Sequence, residues 1–298
     1  MMPNWSMLRT LLFVPGNRER MIEKARSVPA DAIILDLEDS VPSAEKDSAR
    51  AMTLAYLDGF ALKGQRVLVR INPLSTDHAA VDIKAMVTAG LSGICLPKCE
   101  SADDIIKADT IIADAEEKAG IRLGAIGILA LIETPMGIIN AYEIGSSSPR
   151  VLGMAFGAED YALKMDIKRT KEGEEIYYPR MVIAVACRAA GVLAVDGVYT
   201  DIRDHEGFSQ EVRLARQMGF HSKLVIHPDQ VGIVCQIFSP SEEEITYARG
   251  VVAAFEAALA QGQASTTFEG KMVDVPVAER ARRLLARAES VVKQEETK

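Results

Sequence analysis

Aromatic residues are scarce in this chain: 5% of 298 residues, with a single tryptophan. A core with so few of them falls to Ala, Val, Ile and Leu, the residues that fill parallel strands covered by helices. Cysteine is scarcer still. Four in a chain of this length do not make a disulfide scaffold. The Cys95/Cys99 spacing is a weak zinc signal, because no second pair follows it. Basic residues are outnumbered, 34 Lys and Arg against 42 Asp and Glu, for a net charge of −8. That leaves no general positive field to displace counterions from nucleic acid, although a local patch could hold a small anion. No apolar run reaches the ~20 residues that cross a bilayer. The N-terminal MMPNWSMLRT has no apolar signal core. The expected compartment is therefore the cytoplasm, with neither nucleic acid nor membrane as partner.

What is present is a repeating pattern. The chain is 48% hydrophobic and 26% charged, ample for a core. Strand-like runs occur at Arg9–Pro15, Ala32–Leu37, Arg66–Ile71, Gly93–Leu96, Ala125–Ile132, Val151–Phe156, Leu193–Tyr199 and Lys223–Ile226. Between them, apolar residues recur at helical spacing over Arg18–Ser27, Ala44–Leu57, Ala79–Ala89, Ala102–Lys118, Met136–Ile144, Arg180–Ala190, Glu206–Met218 and Ser241–Leu259. Ser43, Ser101 and Ser241 precede acidic first turns that suit helix starts. Eight strand–helix units predict a TIM (β/α)8 barrel, and no glycine-rich dinucleotide fingerprint follows the first strand to suggest a Rossmann domain. The barrel is expected over 1–262. Residues 263–298, an extended or hairpin piece followed by an amphipathic helix at about Ala278–Val292, read as a C-terminal extension. It could lie on its own barrel or reach over a neighbouring subunit.

In such a barrel the strand ends on one rim form the active site. Two isolated acids sit where apolar strands run out: Glu133 after the fifth and Asp160 after the sixth. Brought together they suit a hard divalent cation such as Mg²⁺, which favours oxygen ligands and keeps open positions for substrate. Asp36, Glu38 and Asp39 follow the second strand and could hold metal-bound waters. A plainer reading has Asp36 capping its turn and Glu38 pairing with Arg70. Arg70, at the end of the third strand, is the natural carboxylate clamp, because its planar fork bonds bidentately. Lys98 fits an ion pair with the acidic cluster, and His227 a structural role. The first helix carries Arg18, Arg20, Lys24 and Arg26. Such a patch beside the rim can hold phosphates, or it is simply a solvated face.

Taken in order, these strand ends resemble the citrate lyase beta-subunit-like family, within the metal-dependent 2-oxo-acid aldolases and acyl-CoA lyases. The matching stretches are Arg9-Thr-Leu-Leu-Phe-Val-Pro-Gly-Asn17, Asp36-Leu-Glu-Asp-Ser-Val41, Val69-Arg-Ile-Asn-Pro73, Leu96-Pro-Lys98, Ile132-Glu-Thr-Pro135, Phe156-Gly-Ala-Glu-Asp160, Ile226-His-Pro228 and Gly270-Lys-Met-Val-Asp274. The resemblance implies a TIM barrel with Mg²⁺ on Glu133 and Asp160, and Arg70 gripping a 2-oxo or 2-hydroxy acid. It implies Arg18 and Lys24 on coenzyme A. It also implies Asp274 as a proton donor supplied by an adjacent subunit, hence a homotrimer or homohexamer. The implied reaction is retro-Claisen cleavage of a malyl-, citramalyl- or citryl-CoA type thioester to a 2-oxo acid and acetyl-CoA. A malyl-CoA-type thioesterase and a carrier-protein-dependent citrate lyase subunit are the alternatives. One departure stands at His221-Ser222-Lys223, where relatives often have glycine before the lysine.

Overall fold

A computed structural model describes residues 8–61 and 65–296. The first seven residues, part of the stretch read as lacking a signal core, lie outside the described residues. Eight parallel strands close into a barrel in chain order: β1 (Thr10–Pro15), β2 (Ala32–Asp36), β3 (Arg66–Arg70), β4 (Gly93–Leu96), β5 (Gly127–Ile132), β6 (Val151–Phe156), β7 (Leu193–Asp196) and β8 (Ser222–Val225). β1 pairs β8 to complete the circle. This is the expected TIM-type fold. Its interior is a packed core that includes Leu11, Ile34, Leu68, Cys95, Leu129, Ala155, Val195 and Leu224. Cys95, Cys99 and Cys187 are buried as free thiols, which gives the Cys95/Cys99 pair no metal-binding geometry to offer.

The helices follow local signals. α1 is Glu19–Ala25, α2 Lys46–Ala61, α3 His78–Met86 and α4 Ala102–Lys118. Ser101 starts α4, with Asp104 reaching back to the Ser101 backbone N–H. The periodic run 136–144 is two short helices, α5 (Pro135–Ile139) and α6 (Ala141–Ser146), because the chain bends at Asn140. Two helices escape the periodicity. α7 (Ala158–Met165) is only eight residues long. α10 (Pro228–Phe238) carries Val231, Gly232, Ile233, Val234 and Ile237, poor helix formers by propensity. α8 (Tyr177–Ala190) and α9 (His205–Met218) match expectation. Ser222, at the departure noted above, lies within β8 and donates its hydroxyl to the Leu8 carbonyl. No described helix is long and apolar enough to cross a membrane.

The chain divides into two compact units that meet between Cys235 and Gln236. The helix read as the barrel's eighth, α11 (Glu242–Ala260), belongs to the second unit, while α10 is the helix that follows β8. In the second unit Ser241 and Glu244 form a reciprocal capping box at the start of α11. A hairpin of β9 (Thr266–Phe268) and β10 (Lys271–Val273) leads into α12 (Val275–Glu296). Val251, Phe255, Val273 and Ala278 give this unit a core of its own.

Candidate active site

Strand register gathers the chemistry at one rim. Asp36 closes β2 directly opposite Arg70, which closes β3. Ile132 pairs with Phe156 across β5 and β6, so Glu133 and Gly157, one residue further on each strand, leave the sheet side by side. Asp160 follows in the first turn of α7, where a helix N-terminus favours negative charge. These ends enclose a cavity of about 450 Å³, with Phe13, Arg70, Leu131, Glu133, Asp160 and Leu224 among its walls.

Arg70 is held by three acids. Its Nε and Nη2 donate to the two oxygens of Asp36, both at 2.7 Å. Nη1 donates to Asp39 at 3.2 Å and lies 2.9 Å from a Glu38 oxygen. The guanidinium rests over the Phe13 ring, 4.9 Å from its centroid. Asp36 also accepts the backbone N–H groups of Glu38 and Ser40. Burial pushes the Asp36 carboxyl up, but the Arg70 fork and these donors outweigh it and hold its pKa below the ordinary value. Burial likewise opposes the charge on Arg70, and its three carboxylates overcome that and raise its pKa. Glu38 is raised, chiefly by burial. Lys98 lies 3.0 Å from Glu38. Burial lowers its pKa, but the Glu38 pairing prevails and raises it, so Lys98 is a cation here and not a base. The plainer reading of Asp36 and Glu38 thus describes the geometry: Asp36 caps its turn and both acids pair with Arg70.

Glu133 and Asp160 are different. Glu133 is 2% exposed, and its Oε1 accepts the Lys98 backbone N–H at 2.7 Å. A left-handed backbone at Lys98, with φ of 53°, aims that N–H; a non-glycine residue there is uncommon and carries strain. The second Glu133 oxygen and the half-buried Asp160 carboxylate take no hydrogen bond or ion pair among the described residues. Burial, and then the Asp160 charge, push the Glu133 carboxyl up to about 8, against the lowering effect of the Lys98 N–H. Two uncompensated carboxylates on one cavity fit a hard divalent cation by donor chemistry and by charge. Among the described residues no group of three His, Cys, Asp or Glu is placed to hold a metal. The pair alone is nevertheless an ordinary protein contribution for Mg²⁺, which binds through one or two carboxylates and keeps waters and substrate oxygens.

Three contributors were not evident in the sequence. Gly157 leaves room for Glu133: a Cβ at 157 would lie 2.4 Å from Glu133 Oε2 and 2.5 Å from its Cβ. Phe13 supplies the platform under Arg70. Lys46 donates to the carbonyls of Leu37 and Glu38 and fixes the acidic turn. Only Gly157, inside the Phe156–Asp160 motif, carried a readable signal.

Other candidates lie outside this cluster. Arg18 is the exposed residue preceding α1 and Lys24 is exposed in its last turn. Three-residue spacing puts both on the helix face of Met21, which lines the cavity, so they flank the mouth. Arg20 is exposed, whereas Arg26 turns to the Gly59 carbonyl. His227 faces Asp229, whose backbone N–H donates to its Nδ1. Asp274 belongs to the second unit and caps α12 by accepting the Val277 N–H at 3.2 Å.

The family model for HpcH/HpaI aldolase/citrate lyase matches residues 9–228. The citrate lyase subunit beta of Leuconostoc mesenteroides subsp. cremoris is 42% identical over 284 residues, covering 95% of this chain and 94% of that protein. The L-malyl-CoA/beta-methylmalyl-CoA lyase of Cereibacter sphaeroides is 34% identical over 303 residues, 95% of each. Among solved structures, the CitE protein of Mycobacterium tuberculosis in complex with magnesium, acetoacetate and coenzyme A superposes with a TM-score of 0.78 at 33% identity. That match covers 96% of this chain and 99% of the other.

Proposed function

The chain belongs to the HpcH/HpaI aldolase/citrate lyase family and is a coenzyme A-ester lyase; within that class we propose a magnesium-assisted retro-Claisen cleavage of a 3-hydroxy-3-carboxyacyl thioester to a 2-oxo acid and acetyl-CoA. The observation that carries this reading is the uncompensated Glu133/Asp160 pair sharing a cavity with Arg70 at the barrel mouth. Glu133 and Asp160 would hold the ion. Bound there, magnesium supplies Lewis acidity for the oxygen that changes from hydroxyl to oxo.

The chain's own residues do the positioning. Asp36 locks the Arg70 guanidinium, so the N–H vectors it leaves uncommitted point in a fixed direction and can orient the substrate carboxylate. Arg18 and Lys24 flank the mouth and suit the phosphates of coenzyme A. Leu131, Phe156 and Leu224 form apolar wall around the reacting carbons and keep water from the cleaved bond. In the reaction the hydroxyl loses its proton and becomes the oxo group. The carbon–carbon bond breaks, its electron pair passes to the carbon α to the thioester, and that carbon takes a proton to give acetyl-CoA. We assign the proton delivery to Asp274, presented by the 263–298 extension of a neighbouring subunit in a homotrimer or homohexamer.

The test is a panel of malyl-, citramalyl-, methylmalyl- and citryl-CoA with the purified full chain and Mg²⁺, watching for the 2-oxo acid and acetyl-CoA. Turnover should require the ion and vanish in Glu133→Ala. Free acid without any 2-oxo acid would make the protein a thioesterase. Activity confined to a carrier-protein thioester would make it a subunit of a larger lyase.

A further inference from the structure

The cavity carries one cation against five acids. Of its seventeen lining residues Arg70 alone is basic, while Asp36, Asp39, Glu133, Glu159 and Asp160 are acidic. Arg70 is itself heavily committed. Of its five N–H groups, two go to Asp36 and a third to Asp39, with Glu38 crowding the same Nη1. What is left can serve one carboxylate. The remaining lining is apolar apart from Ser40, and Phe13, Leu131, Phe156, Val198, Leu224 and Ile226 make most of the wall. Lys98 does not line the cavity and is paired with Glu38. Arg18 and Lys24 flank the mouth.

This arrangement bears on which 2-oxo acid the site releases. Every candidate has one carboxylate next to the oxo group, and that carboxylate can be met by the ion and by Arg70. The candidates differ in the other substituent on the oxo carbon: hydrogen, a small alkyl group, or a carboxymethyl group with a second negative charge. A second carboxylate would enter an apolar, acid-rimmed space with no cation left for it, and such like-charge juxtaposition costs several kcal/mol at an interface. We infer that the substrate's hydroxyl carbon bears hydrogen or a small alkyl group, so that the released 2-oxo acid is a monocarboxylate of the glyoxylate or pyruvate kind and not a dicarboxylate of the oxaloacetate kind. This rests on the lyase reading above and narrows it. It places the chain apart, in substrate, from the citrate lyase subunits it resembles in sequence.

The experiment is a calorimetric titration of the full chain, at fixed free Mg²⁺, with pyruvate, freshly prepared oxaloacetate and 4-methyl-2-oxopentanoate. The last replaces oxaloacetate's second carboxylate by an isopropyl group of similar shape, which separates charge from size. Pyruvate should bind at least about tenfold more tightly than oxaloacetate, a difference of about 1.4 kcal/mol, and the isopropyl analogue should also bind more tightly than oxaloacetate. Oxaloacetate binding as tightly as pyruvate overturns the inference. So does an isopropyl analogue weaker than oxaloacetate, because size and not charge would then discriminate. Condensation of each oxo acid with acetyl-CoA is followed in parallel. If none is condensed, the lyase reading fails, while the binding order still decides this inference.

Discussion

Replacing Gly157 by alanine sets two effects of opposite sign against each other. Gly157 has φ of −97°, a value open to any residue, so alanine there would ordinarily stabilise by about 0.4–1 kcal/mol through the unfolded chain. The added methyl, however, would lie 2.5 Å from the Glu133 Cβ and 2.4 Å from its Oε2. The carboxylate end could swing away, but the Cβ is tied to the backbone just beyond β5. Either that segment or the start of α7 has to move. Overpacking of this kind costs about 1–3 kcal/mol, so the clash wins and the net change is a loss of roughly 0–2.5 kcal/mol. The functional change is larger than the stability change. Glu133 and Asp160 leave the barrel on either side of Gly157, and displaced support for a ligand typically lowers metal affinity about 10–100-fold. Denaturant unfolding of the metal-free protein and calorimetric Mg²⁺ titration measure the two quantities separately. A Gly157→Ala protein with unchanged Mg²⁺ affinity and increased stability would show that Glu133 is not packed on that glycine.

Three further outcomes follow from the same contacts. The Glu133 pKa, raised from 4.5 to about 8, means the metal-free folded protein holds that proton more tightly than the unfolded chain does. Its stabilising contribution is therefore present below pH 4.5 and lost as pH rises through about 8. Cation binding needs the ionised form, so Mg²⁺ affinity, read by calorimetry between pH 6 and 9, should climb and level off above about 8; a flat profile contradicts this. Lys223 is fully buried and bonded to Asp196, Glu211 and the Gly197 carbonyl, with Arg180 completing the network. Lys223→Met should cost about 3–5 kcal/mol in denaturant unfolding by leaving buried charge uncompensated, while Mg²⁺ affinity stays within twofold or so. Asp274→Asn retains an oxygen that can cap α12 and so should keep the fold, yet lower turnover by about 10²–10⁴-fold if the residue donates a proton; unchanged turnover removes Asp274 from the mechanism.

The barrel was legible because each strand is an unbroken apolar run with an abrupt polar end. Six of the eight runs begin and end within one residue of the observed strand. The last helices were harder. α10 is written in Val, Ile and Gly, and its packing overrides its propensity, so the better-capped α11 took its place in the sequence pattern. Within the site, residue types at strand ends identified Glu133, Asp160 and Arg70, because a charge directly adjoining an apolar run must be desolvated and therefore needs a partner or a ligand. Which partner each side chain chooses was not legible. That Asp36 rather than a substrate occupies the Arg70 fork depends on the β2/β3 register, and the Lys98 N–H reaches Glu133 only through a left-handed turn.

Glu133 and Asp160 must grip one ion beside Arg70 for this chemistry to run. A crystal structure of the chain with Mg²⁺ and pyruvate tests this most directly. It should show a single magnesium about 2.0–2.1 Å from an oxygen of each carboxylate, with pyruvate completing its coordination and the pyruvate carboxylate within hydrogen-bond reach of Arg70. Magnesium bound elsewhere, or held by neither acid, would contradict it.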